Sequence, residues 1–97
     1  MAQVALSASA LAELEGVITA KRADGGEAAT AATSAIRSAI DHLAAHPLVG
    51  RRIEGELRKL IISYGATGYI ALYRFVVQRD EVRVLALRHQ REIGFLP

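Results

Sequence analysis

Residues 57–89 read LRKLIISYGATGYIALYRFVVQRDEVRVLALRH, and this stretch decides the fold. Its apolar side chains recur with a period of two among β-branched and aromatic neighbours, the pattern of half-buried strands. Leu57–Tyr64, Tyr69–Val77 and Val82–His89 are therefore expected as three strands. The segments between them, Gly65-Ala66-Thr67-Gly68 and Gln78-Arg79-Asp80-Glu81, are short enough to require antiparallel neighbours. Pairing Tyr64 with Tyr69 and Val77 with Val82 sets a provisional register in which the two faces differ in chemistry. Leu60, Ile62, Tyr64, Tyr69, Ala71, Tyr73, Phe75, Val77, Val82, Val84 and Ala86 form a nearly uncharged face, suited to burial under helices. Lys59, Ile61, Ser63, Ile70, Leu72, Arg74, Val76, Arg83, Leu85, Leu87 and His89 form the other. An aliphatic strip rimmed by arginine is unusual in open solvent and implies a covering partner.

Upstream, the period changes. Gln3–Leu6 is long enough for one short strand, and Ser7 or Ser9 offers a side-chain oxygen to cap a helix after it. Leu11, Leu14 and Ile18 then recur at helical spacing, and Asp24-Gly25-Gly26 stops that helix. Gly16 weakens it by about 1 kcal/mol relative to alanine. A second helix is expected from Glu27 to Ala45, with Ile36, Ile40 and Leu43 on one stripe among alanines. It ends at His46-Pro47, because proline disfavours helical geometry in the residue before it. Two helices joined by a short glycine turn form an antiparallel hairpin. Pro47–Gly55 reads as an exposed basic loop.

Composition bounds the class. The 97 residues are 52% apolar and 23% charged, with no cysteine and no tryptophan, which suits one globular domain spanning residues 1–97. No run approaches the roughly 18 apolar residues of a membrane span, so no membrane partner is expected. Met1–Leu6 lacks a secretory pattern, and a cytoplasmic address is expected. Residues 1–46 carry three basic against five acidic side chains, whereas residues 47–97 carry nine against five. The positive field is thus concentrated in the C-terminal half and suits an acidic partner.

The order strand, helical hairpin, three-stranded meander resembles the RelE/ParE superfamily of bacterial toxin–antitoxin toxins. Local sequence sharpens the likeness at His46-Pro47-Leu48-Val49-Gly50-Arg51, at Leu57-Arg58-Lys59-Leu60, at Gly68-Tyr69-Ile70-Ala71-Leu72-Tyr73-Arg74 and at Val84-Leu85-Ala86-Leu87-Arg88-His89-Gln90-Arg91-Glu92. These motifs resemble the ParE-like, plasmid-stabilisation branch most closely. The resemblance implies a two-layer α+β fold of the order β-α-α-β-β-β, its helical hairpin packed on a four-stranded antiparallel sheet. It also implies a toxin held inactive by a cognate antitoxin, whose flexible segment covers apolar and basic surface. ParE-like members inhibit DNA gyrase by binding it, and RelE-like members cleave messenger RNA on the ribosome.

The two activities make opposite demands. RNA cleavage needs a general base, a general acid and cations on the scissile phosphate. The RelE pattern has lysines at the end of the second strand, an arginine after Gly-Tyr, an arginine near the C-terminus and a terminal tyrosine. Here the corresponding residues are Ile61 and Ser63, Ile70, Arg91 and Phe95, so only Arg91 matches. The resemblance therefore favours gyrase inhibition without enzymatic activity, no cofactor and no small-molecule substrate. The alternatives are a ribosome-dependent endoribonuclease, with His89 and Arg91 as its catalytic candidates, and an inactive domain that only binds its partner. Antitoxin contact is expected at Ile70, Leu72, Arg74, Arg83, Leu85 and Leu87, and target contact at Arg51, Arg52, Arg88, His89 and Arg91. Arg88, on the uncharged face in this register, could instead bond helix-end carbonyls. His42 and His46 are spaced to share a metal, but no third ligand accompanies them, so no metal site is expected.

Overall fold

The structure is a computed structural model, described here for residues 1–64 and 67–89. β1 (Gln3–Leu6) leads into α1 (Ala8–Ala23) and α2 (Gly26–Ala45). After them come β2 (Arg51–Glu54), β3 (Leu57–Tyr64), β4 (Thr67–Val76) and β5 (Glu81–His89). The strands form one sheet in the order β1-β5-β4-β3-β2, with both helices packed against it. The two-layer α+β class and the helical hairpin are as expected.

Local chemistry explains the helix ends. The Ser7 hydroxyl caps α1 by accepting from the Ala10 N–H at 3.0 Å. Gly25, at φ +119°, makes the turn into α2 in a conformation that L side chains rarely adopt. On α2, Ile36 and Leu43 are buried and Ile40 packs beside them, as the helical stripe requires. α1 is less regular: Leu14 and Val17 reach the core, but Leu11 is exposed.

The sheet departs from expectation in four ways. It has five strands, because Arg51–Glu54, read as loop, pairs antiparallel with β3 through Arg51↔Lys59 and Arg52↔Arg58. Strand pairing is made by backbone groups, and a short charged edge strand carries no apolar alternation to betray it. The sheet is also mixed, since β1 runs parallel to β5, with Val4 opposite Val82. The helical hairpin carries the chain from β1 to the far edge at β2, and the meander then brings it back to β5, alongside β1 and parallel to it.

The remaining differences concern register. β3 and β4 pair Ile62 with Tyr69 and Tyr64 with Thr67, not Tyr64 with Tyr69. The shift is by two residues, so every side chain keeps its face. After β4, a 3₁₀ turn at Val77–Arg79 with Asp80 at φ +47° leaves Val77 exposed and pairs Phe75 with Val82. A bulge then falls between Tyr73↔Val84 and Leu72↔Ala86. It adds one residue to β5 and exchanges the faces of everything beyond it. Leu87 and His89 thereby move to the helix-packed side, opposite Ala71 and Tyr69, while Ala86 and Arg88 move to the outer side. Leu87, expected at a partner contact, is instead 5% exposed and part of the core.

Candidate partner-binding surface

Neither helix packs on the outer face of the sheet, and the register lays that face out in cross-strand rows. One row runs Arg51, Lys59, Leu72, Ala86, and the next runs Ile61, Ile70, Arg88. On the other side of the first row, Arg74 stands directly opposite Arg83. The result is an aliphatic centre of Ile61, Ile70 and Leu72, with Arg51 and Lys59 on one side, Arg88 on the other and Arg74 and Arg83 at one end. Ile61 is 53% exposed and Leu85, at the bulge, is 37% exposed, whereas Ile70 is buried. Like charges directly opposite across two strands repel. Arg83 is partly compensated by Glu81, whose carboxylate accepts from its Nε at 2.7 Å. No carboxylate pairs with Arg74 among the described residues, and its exposed guanidinium points to an acidic partner.

A second cluster ties α1 to the margin of β5 beyond the end of β1. The Ser7 N–H donates to the Val84 carbonyl at 2.9 Å, and its hydroxyl donates to the Leu85 carbonyl at 2.9 Å. Glu13 divides its carboxylate between the Leu87 N–H, at 3.2 Å, and an ion pair with Arg88. Arg88 therefore bonds the helix through a side chain and not through helix-end carbonyls. Glu13 was not singled out in the sequence, where only its place in the first half of a helix was visible.

The expected target set is dispersed. Arg51 and Arg88 share the outer face, but Arg52 follows Arg58 toward the opposite face and His89 sits against α1. The His89 ring meets Tyr69 edge to face, with centroids 5.5 Å apart. Arg91 lies outside the described residues, as do Gly65, Ala66 and Phe95. Arg88 and His89, adjacent in sequence, leave β5 on opposite sides, but the Arg88 guanidinium reaches Glu13, which lines the same depression as His89. Of the antitoxin set, Ile70, Leu72, Arg74 and Arg83 lie on the outer face with Leu85 at its bulge.

A third cluster lies where α2 returns to the sheet. Tyr73 is fully buried, and its Oη accepts from the Gly50 N–H at 2.7 Å. Burial raises the Tyr73 pKa above its usual value of 10.0, opposed by that hydrogen bond and by the charge of Arg58. The Arg58 guanidinium donates to the carbonyls of Gly50, at 2.8 Å, and Leu48, at 3.2 Å. Nearby, the rings of His42 and His46 are 5.2 Å apart, yet no group of three or more metal-ligating side chains exists among the described residues. No helix among them is long and apolar enough to cross a membrane.

A helical hairpin packs on one side of the sheet, and on the other, basic and aliphatic side chains lie with no helix against them among the described residues. Comparison with known proteins supplies the family. Residues 4–94 match the model described as ParE toxin of type II toxin-antitoxin system, parDE, and the chain belongs to that family, within the RelE/ParE superfamily. It is 40% identical over 65 residues to Toxin RelE3 of Caulobacter vibrioides, an alignment covering 67% of this chain and 68% of that one. Its fold is similar to a chain in the crystal structure of the intact E. coli RelBE toxin–antitoxin complex, with a TM-score of 0.65 at 13% identity. That match covers 91% of this chain and 95% of the other. The protein is thus a toxin of the type II toxin–antitoxin class, whose partner is a cognate antitoxin.

Proposed function

We propose that this toxin inhibits DNA gyrase by stoichiometric binding in the cytoplasm, within a plasmid-stabilisation module, and is silenced when an acidic segment of its antitoxin covers the outer sheet face. The observation that carries the choice of target is the pairing of Ile61 with Ile70. These are positions at which the RelE pattern has cations for RNA chemistry, and here they meet as an aliphatic pair in the middle of the outer face. An apolar centre favours a protein surface over a scissile phosphate.

On the antitoxin side, Ile70, Leu72, Arg74, Arg83 and Leu85 supply the aliphatic strip and its cationic rim. On the target side, Arg51 and Arg88 retain shared access to the outer face, and Arg52 belongs to a separate edge. The test is a supercoiling reaction with purified gyrase beside an in-vitro translation reaction probed for cut messenger RNA. Loss of supercoiling with intact RNA is expected. Cut RNA with unaffected gyrase overturns the reading and makes this chain a ribosome-dependent nuclease. Neither effect, with antitoxin still bound, leaves a domain that only binds its partner.

A further inference from the structure

The loop between α2 and β2 combines two properties that seldom occur together: its backbone is tied down at several points, and its apolar side chains face solvent. Leu48 is 59% exposed and Val49 is 44% exposed. Beneath them, the Val49 N–H donates to the His46 carbonyl at 3.1 Å, the Gly50 N–H to the Tyr73 Oη, and Arg58 to the carbonyls on both sides of Val49. The approach to the sheet is so close that a Cβ on Gly50 would lie 2.5 Å from the Tyr73 Oη and 2.8 Å from the Lys59 carbonyl oxygen. Arg52, an exposed cation, stands directly opposite Arg58, the residue whose guanidinium holds the carbonyls of Leu48 and Gly50.

We infer that Leu48, Val49 and Arg52 form a second docking element through which this toxin engages its target, additional to the outer face that the antitoxin covers. The inference rests on the toxin reading above. The occupant is a folded protein presenting an apolar depression with an acidic rim. A pre-ordered apolar projection forfeits little conformational entropy on binding, and it gains most from a preformed cavity that desolvates leucine and valine together. A nucleic acid offers phosphates to Arg52 but nothing to cover the pair of aliphatic side chains. A disordered antitoxin segment finds its complement in the broad strip of the outer face, where successive residues can pair with the rows of cations.

The experiment compares growth arrest on induced expression, without antitoxin, for the wild type, L48D/V49D, R52E and V77D. Val77 is a still more exposed apolar residue, on the 3₁₀ turn after β4 and outside the surfaces assigned to antitoxin and target, and V77D is expected to arrest growth like the wild type. L48D/V49D is expected to lose about 100-fold or more of the killing, and R52E about 10-fold, as for central and rim residues of an interface. Both are expected to capture co-expressed antitoxin undiminished. Killing by L48D/V49D equal to that of the wild type overturns the inference and leaves the toxin reading standing. Loss of both killing and antitoxin capture in L48D/V49D shifts the decision to R52E, whose full toxicity likewise overturns it. A wild type that arrests nothing sinks the toxin reading, and this inference with it.

Discussion

On the inner face of the sheet, Tyr73 and Val82 are fully buried beneath the helices; one residue along each strand, on the outer face, Arg74 is exposed and stands opposite Arg83. The same two strands thus make a core and a recognition surface from alternate positions, as the pleat allows. The inner face closes on its own chain, because Ile36 and Leu43 of α2 and Leu14 and Val17 of α1 pack over it. Among the described residues no helix packs over the outer face, which keeps a like-charge pair that burial by the chain itself would penalise. Stability and recognition are therefore separable by which neighbour along a strand is changed, and that separation can be tested directly.

The largest expected effect is on the inner side. Leu43→Ala removes one of the most deeply buried side chains and should cost about 2–5 kcal/mol in urea unfolding. A cost near that of a surface change would show that α2 is not holding the inner face. Next, Tyr73→Phe leaves the Gly50 N–H without its acceptor and should cost about 1–3 kcal/mol. The same variant should alter the alkaline limb of stability. Because the folded-state pKa of Tyr73 lies above 10.0, the folded chain holds its proton when the unfolded chain has released it. The stabilisation is complete below pH 10.0 and is lost as pH rises from there through the folded pKa. Tyr73→Phe should flatten that loss in unfolding measured across alkaline pH.

On the outer side, R74E/R83E should leave the thermal midpoint within a few degrees while weakening antitoxin binding by about tenfold, equivalent to about 1.4 kcal/mol, in a titration at low salt. Equal affinity for the double variant would place the antitoxin elsewhere. The smallest expected change is at the seam between the two regions. Ser7→Ala deletes both the α1 cap and the bond to the Leu85 carbonyl and should cost about 1 kcal/mol. A negligible cost would mean that Glu13 and the Ser7 backbone bond to Val84 suffice to anchor α1 to β5.

Much of this was legible in the amino-acid order. Alternation in residues 57–89 identified three strands, and an even-numbered error in register left the faces of β3 and β4 intact. Residues 86–89 take the faces opposite to those expected because one bulged residue inverts the assignment of all that follow, and nothing in Leu85-Ala86-Leu87 marks which residue is extra. Arg51–Glu54 concealed a strand for a different reason: an edge strand with exposed charges has no buried face to record in its sequence.

Periodicity, caps and breakers therefore determined by themselves that two helices precede a meander, where α2 stops and which residues of β3 and β4 face inward, since each depends on neighbours within a turn or a pleat. Only the tertiary structure decided that β1 lies parallel to β5, that Glu13 meets Arg88, that Gly50 must admit Tyr73 and that Arg88 and His89 exchange faces. Those outcomes depend on contacts between residues tens of positions apart, and on one inserted residue whose position the pairing of whole strands selects.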